Sequence, residues 1–221
     1  MTMTAKEIEK KHGISASKLG WGIQALQSEG LTWMLSRLRV NVSRYVPWGE
    51  TVTVRTWPSG MKGKLIAKRC FLGLCADGEE IFRAASEWLY VDMKAQKIAK
   101  LPESFAGLVP DGTPDFDFPD IGGKFAHLPS ADSCVEVLTR HSDLDFNDHV
   151  NNVHYVEWML ENVECRIENV ECIDIVFRQA AKAGETLSSE RCAADGGKTF
   201  HAIRRASDGA LLATAAEIRR N

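Results

Sequence analysis

The sequence predicts an α+β protein made of two similar units in tandem, and three observations carry that expectation. Five of the seven prolines (Pro102, Pro110, Pro114, Pro119 and Pro129) crowd into one stretch, which separates two longer segments. The same order of helix, glycine and turn signals recurs on either side of that stretch. Local hydrophobic periodicity also switches between the helical and the extended kind.

The elements follow in order. A helical stretch around Ala16–Gln27 opens the first half. Leu38, Val40 and Val42 then alternate with Arg39 and Asn41, as a half-buried strand requires. Gly49-Glu50-Thr51-Val52 comes next, with Val52 and Val54 alternating with Thr51, Thr53 and Arg55, then the turn Asp77-Gly78 and the pair Ala84-Ala85. The proline stretch also holds Asp111-Gly112 and Gly122-Gly123, and proline withholds a backbone donor while fixing φ. It therefore reads as a connector, not as a long helix or a central strand. In the second half Val153, Val156, Met159, Leu160 and Val163 recur at helical spacing within a helix around Val150–Val163. Gly184-Glu185-Thr186-Leu187, the turn Asp208-Gly209, and Ala213 with Ala215 complete the repeat. The expected boundaries are a first unit over 1–103, a proline-rich linker over 104–133 and a second unit over 134–221.

Composition bounds the function. A net charge of −3 argues against general nucleic-acid binding. No apolar run approaches the roughly 20 residues that span a bilayer, and Met1–Glu7 lacks the pattern of a secretory signal, so the expected location is the cytoplasm. Cys70, Cys75, Cys134, Cys165, Cys172 and Cys192 form no C-x-x-C pair, which favours reduced thiols over disulfides or a metal site. A basic stretch comprises Arg37, Arg39, Arg44, Arg55, Lys62, Lys64, Lys68 and Arg69, with Glu50 as the one acid between them. It reads either as a solvated strand face or as a docking patch for an acidic partner.

The chemistry concentrates in Asp145-Phe146-Asn147-Asp148-His149-Val150-Asn151-Asn152. Asp145, Asn147 and His149 alternate, and in extended backbone alternate residues share a side, so the three can line one pocket. A helix is expected to begin just after them, and its first turn presents backbone N–H groups and partial positive charge. His149 is the natural general base, because its ordinary pKa lies near neutrality. Asp145 either orients the imidazole or shares in activating water, and Asn147 hydrogen-bonds water or a carbonyl. Backbone donors near Val150 would hold an oxyanion. These groups together suit water attack on an acyl thioester, although Asp and Asn at such positions also simply build turns and caps. With no phosphate loop and no G-x-S-x-G elbow, nucleotide use and a serine triad are not expected.

The run Asp143-Leu144-Asp145-Phe146-Asn147-Asp148-His149-Val150-Asn151-Asn152-Val153-His154-Tyr155 closely resembles the signature of acyl-acyl carrier protein thioesterases. A second match is Gly30-Leu31-Thr32-Trp33-Met34-Leu35-Ser36-Arg37-Leu38 with Arg44-Tyr45, Trp48-Gly49 and Thr56-Trp57-Pro58. The resemblance implies two tandem hot-dog units, each a curved antiparallel sheet wrapped around a central helix. It implies hydrolysis of fatty acyl-acyl carrier protein thioesters without metal or other cofactor. It also implies Asp145, Asn147 and His149 as catalytic residues, an acyl pocket mostly in the N-terminal half, and an acidic acyl carrier protein as partner, delivering its chain on a phosphopantetheine arm. The partner raises the docking-patch reading of the basic stretch. Acyl-coenzyme A is the alternative substrate, and a non-catalytic acyl or acyl-carrier binding protein is the alternative class.

Two departures matter. Family members carry a glutamate, often followed by cysteine, where this chain has Phe177-Arg178-Gln179-Ala180-Ala181, so Ala180 lacks the expected carboxylate and neither Cys165 nor Cys172 stands at the cysteine position. Met1–Ser15 is polar and lysine-rich, so the first sheet is expected to lack its opening strand. Trp33, Trp48, Trp57 and Trp88 are candidates for an acyl tunnel, with core packing the plainer role for most of them.

Overall fold

A computed structural model describes residues 16–116, 118, 121, 131–162 and 169–220, and the chain divides into two units, Met1–Phe118 and Pro119–Asn221. In the first, residues 16–18 are helical, Gly20 takes a left-handed φ of 79° that interrupts the helix, and α1 resumes over Ile23–Ser28. Strands β1 (Leu31–Val42), β2 (Thr53–Lys62), β3 (Ile66–Leu74) and β4 (Glu80–Asp92) form an antiparallel sheet in the order β2-β3-β4-β1. The two-residue β5 (Lys97–Ile98) adds to β4. Pro58 is tolerated in β2 because it stands beside a register shift at Ser59, where Gly60 adopts a φ of 118°.

Leu26 of α1 packs onto the sheet with Ala67, Tyr90, Leu101 and Phe105. Phe105 lies on a 3-10 helix over Glu103–Leu108, within the stretch expected to be a linker. The same holds further along: Trp57 Nε1 donates to the Pro114 carbonyl at 2.9 Å, and Phe116 and Phe118 pack against Trp57. The expected boundary at 103 is thus corrected, since residues to Phe118 belong to the first unit. Prolines prevent regular backbone there without preventing the intervening phenylalanines from burying their rings.

The second unit contains β6 (Ser133–Leu138), α2 (Asn152–Glu161), β7 (Val170–Phe177), β8 (Thr186–Ala194), β9 (Lys198–Arg205) and β10 (Leu211–Arg219). Its sheet order is β7-β10-β9-β8-β6. Read from the strand after each helix, β1 to β4 and β7 to β10 have the same connectivity, which is the duplication expected from the repeated signals. Strand β6 precedes its helix and pairs with β8. Its counterpart in the first unit would fall before residue 16, so the expectation of a missing opening strand lies outside the described residues. Helix α2 buries Val153, Tyr155 and Met159, and the Ser189 hydroxyl and Asn162 amide tie it to β8. Val163 lies outside the described residues.

Candidate active site

The residues expected to carry the chemistry lie together, but not in extended backbone. Asp145 to His149 curl into a tight turn closed by the bridge between Leu144 and Val150. The Asp145 N–H donates to the His149 carbonyl at 2.7 Å, and the Asp148 N–H donates to the Asp145 carbonyl at 3.2 Å. Asp148 takes a φ of 58°, a left-handed conformation that Asp tolerates better than most residues. The alternation argument is therefore corrected. Asp145, Asn147 and His149 are grouped by a turn, each half-buried, while Phe146 between them is 60% exposed.

Asp145 organises that turn. Its Oδ1 accepts from the Asn147 N–H at 2.8 Å and from the His149 N–H at 3.3 Å. The carboxylate thus holds the backbone of His149, and the expectation that it orients the imidazole is not what the geometry records. Asp143 extends the arrangement, because its carbonyl accepts from the Asn151 N–H at 2.8 Å.

The start of α2 follows at once. Asn151 is the N-cap, its side chain accepting from the Val153 N–H at 3.0 Å. The Val150 N–H donates to the Ala181 carbonyl at 2.9 Å, so Val150 is not an available oxyanion donor, which corrects that expectation. A segment entering a helix beside another loop satisfies its buried N–H groups from that loop. The first N–H inside the helix, that of Asn152, has no acceptor among the described residues.

The opposing loop, 178–185, contains features that sequence reasoning missed. The Ala181 N–H donates to the Tyr155 hydroxyl at 2.8 Å, so Tyr155 pins the loop to the helix. Burial pushes the Tyr155 phenol up to about 12, keeping it neutral. Thr139 clasps the other end, donating its hydroxyl to the Lys182 carbonyl at 2.6 Å and accepting from the Glu185 N–H at 2.9 Å. Arg205 pairs with Glu185 at 2.9 Å and donates to the Ala180 carbonyl at 3.2 Å. The absent carboxylate at Ala180 thus leaves a position beside a guanidinium. Tyr155 lies inside the family-like motif, and only the long-range contact with Ala181 distinguishes its hydroxyl.

Other expected features separate. His154 is engaged with Glu157 at 2.7 Å and stacks on Trp158. The basic stretch is largely neutralised by acids from outside it: Arg39 and Lys62 by Glu87, Lys64 by Glu103, and Lys68 by Asp115. Arg44 pairs with Glu50 and Glu79. Arg69 is buried, which pushes its guanidinium down to about 10. A continuous unneutralised docking patch is therefore not present there. Among the described residues, Cys75, Asp77 and Glu79 are grouped closely enough to ligate a metal, but the Arg44 guanidinium already supplies their cation at 3.4 Å from Glu79.

In the first unit a cavity of about 390 Å³, its open mouth included, lies among Trp21, Trp33, Pro58, Ala67, Trp88 and Phe105. Trp33 and Trp88 are thus pocket residues. Trp57 is buried in a separate cluster, and Trp48 is 84% exposed.

With this geometry established, the comparisons with known proteins are specific. The sequence model of the acyl-ACP thioesterase N-terminal domain matches residues 2–108, and that of the C-terminal domain matches residues 127–219. The chain belongs to the acyl-ACP thioesterase family. A chloroplastic acyl-[acyl-carrier-protein] hydrolase of Cuphea viscosissima is 30% identical over 220 residues, covering 93% of this chain and 53% of that protein. A chloroplastic palmitoyl-acyl carrier protein thioesterase of Arabidopsis thaliana is 30% identical over 196 residues, covering 83% and 47%. The chain spans about half the length of these plant relatives. Among solved structures, an acyl-ACP thioesterase from Bacteroides thetaiotaomicron superposes with a TM-score of 0.83 at 22% identity, covering 97% of this chain and 87% of that one. A 12:0-ACP thioesterase from Umbellularia californica gives 0.78 at 22%, with the same coverage. These superpositions establish the hot-dog architecture expected from the sequence. For the acyl-ACP thioesterase family, the C-terminal match contains the whole Asp145–Asn152 turn and the Ala180 position. No helix among the described residues is long and apolar enough to cross a membrane.

Proposed function

We propose that this chain hydrolyses fatty acyl-acyl carrier protein thioesters and releases the free acid. The observation that carries the reading is the Asp145–His149 turn, which holds a half-buried imidazole within a few residues of the start of α2. His149 takes the proton from water as the water attacks the thioester carbonyl. Asn147 hydrogen-bonds the water or the substrate, and Asp145 fixes the turn that presents both. The Asn152 N–H, in place of that of Val150, donates to the developing oxyanion at the positive end of the helix. The carrier's thiol leaves with the proton that His149 acquired.

Acyl carrier protein is the proposed partner and acyl-coenzyme A the alternative carrier. The five free cysteines among the described residues fit a reducing compartment such as the cytoplasm. Free-acid release from a panel of acyl-acyl carrier proteins tests the function. His149→Ala is expected to lower turnover about a hundredfold or more while carrier binding persists. Tight acyl-carrier binding by the wild type with no acid released at any chain length would instead support the binding-protein reading, with Ala180 as its cause.

A further inference from the structure

The loop 178–185 is tied down at both ends and again in its middle. At its start the Arg178 and Gln179 N–H groups donate to the Leu212 carbonyl at 2.8 and 3.2 Å. At its end Thr139 clasps Lys182 and Glu185. The middle tie falls on one peptide unit, the one that joins Ala180 to Ala181. Its carbonyl accepts from Arg205 Nη2 at 3.2 Å, and its N–H donates to the Tyr155 hydroxyl at 2.8 Å. A trans peptide is planar and points those two groups in opposite directions, so the two bonds together fix the plane. The next carbonyl, that of Ala181, is thereby aimed at the Val150 N–H, from which it accepts at 2.9 Å. Val150 directly follows His149.

Arg205 is itself held fast. It ends β9 opposite Leu187, beside the Asp208-Gly209 turn that leads into β10. Its Nε donates to Glu185 at 2.9 Å and its Nη1 to Asp208 at 3.1 Å, so each guanidinium nitrogen holds a different group. A planar fork with three separate partners cannot rotate without breaking one of them. The surrounding charges gather at the same corner. Besides its burial and the Ala181 N–H, the Tyr155 phenol feels Glu185, Arg205 and Asp145, the last being the carboxylate that builds the site turn.

We infer that Arg205 is a positioning residue for the hydrolysis: its grip on the Ala180 carbonyl sets the peptide plane that, through Ala181 and Val150, fixes His149 in the site turn; the assignment rests on the thioesterase reading above. Ala180 ends in a methyl group, so position 180 acts on the site through its backbone. Arg205 is what orients that backbone from the sheet side, as Tyr155 does from the helix.

The test compares wild type, Arg205→Ala, Arg205→Lys and Arg204→Ala on the panel of acyl-acyl carrier proteins, at a temperature where circular dichroism shows each variant folded. Arg204, adjacent on the strand and paired with Glu190 at 3.1 Å, controls for the loss of a neighbouring ion pair. Because misplacing a reacting group by about 1 Å can cost a hundredfold, Arg205→Ala should lower kcat about ten- to a hundredfold with KM nearly unchanged. Arg205→Lys keeps the charge without the fork, and should recover melting temperature more fully than kcat. Arg204→Ala should keep the wild-type kcat. Hydrogen exchange at the Val150 amide reads the same link without hydrolysis. Relative to the core amides of β7, it should quicken in Arg205→Ala and not in Arg204→Ala. Wild-type kcat in Arg205→Ala, or a loss matched by Arg204→Ala, overturns the inference. Should Arg205→Ala fail to fold, Arg205→Lys decides: a lowered kcat upholds the positioning role and an unchanged one overturns it. A wild type that releases no acid removes the hydrolase reading, and the Val150 exchange rates then decide whether Arg205 holds the turn.

Discussion

A single carboxylate has two separable jobs in the site turn. Asp145 accepts two backbone N–H bonds through one oxygen, and it is a charge within a few residues of His149. Asp145→Asn retains a carbonyl oxygen that can hold the turn, whereas Asp145→Ala removes both acceptor and charge. Hydrogen bonds to a charged group contribute about 1.5–3 kcal/mol each. Asp145→Ala should therefore lose both turnover and thermal stability, and Asp145→Asn should lose turnover with most of the stability retained. Equal melting temperatures for wild type and the alanine variant would contradict the structural half of that statement. Ala180 permits the converse experiment. Its carbonyl accepts from Arg205, so Ala180→Glu places a new carboxylate near a guanidinium already paired with Glu185. Turnover is expected to rise, and an unchanged or lower rate would mean that the existing groups already position water.

At the level of elements, the site is the junction of a turn, a helix start and a loop, and each holds another in place. Asn151 caps α2, Tyr155 on the next turn holds Ala181, and the Ala181 carbonyl holds Val150. Replacing Asn151 with alanine should cost about 1 kcal/mol, the ordinary worth of an N-cap, read by urea denaturation. Because the cap adjoins His149, turnover should fall with it. A stability loss without any loss of rate would show that the catalytic turn is held independently of the helix. The two helices also differ in their starts: α1 follows a break at Gly20 and has no side-chain cap, whereas α2 is capped, in keeping with the catalytic turn lying beside α2.

The molecule repeats one design twice and assigns the copies different surroundings. In the second unit the sheet buries Glu217, with Arg219 Nε 2.8 Å away and His201 Nε2 at 3.4 Å, the latter misaligned for a hydrogen bond. Burial pushes the Glu217 carboxyl up, but the guanidinium and imidazole more than offset it, so it sits below the ordinary carboxylate value. A carboxyl depressed in the folded state adds stability that is full above its unfolded pKa of about 4.3 and fades as pH falls through the lower folded value. Glu217→Gln removes the buried carboxylate that pairs with the Arg219 guanidinium and should cost about 3 kcal/mol at neutral pH. The difference from wild type should shrink in acid. A constant difference at every pH, measured by denaturant titration, would remove the carboxylate from the account.

Local chemistry determined much of this protein. Alternation in Leu38–Val42, helical spacing from Val153 to Leu160, and the paired Asp-Gly turns follow from backbone periodicity and turn sterics, which act over a few residues. They disclosed two helix-and-sheet units and the site segment. The same locality explains the errors. Alternation suggested extended backbone for Asp145–His149, but two hydrogen bonds to one carboxylate curl it into a turn. Prolines suggested a linker after residue 103, but burying Phe105, Phe116 and Phe118 drew that chain into the first unit. A run of cations suggested a docking surface, but Glu87, Glu103 and Asp115 arrive from distant positions to neutralise much of it. The engagement of Val150, the anchoring hydroxyl of Tyr155 and the Arg205 grip on Ala180 were decided by tertiary structure alone, because each depends on residues brought together by folding.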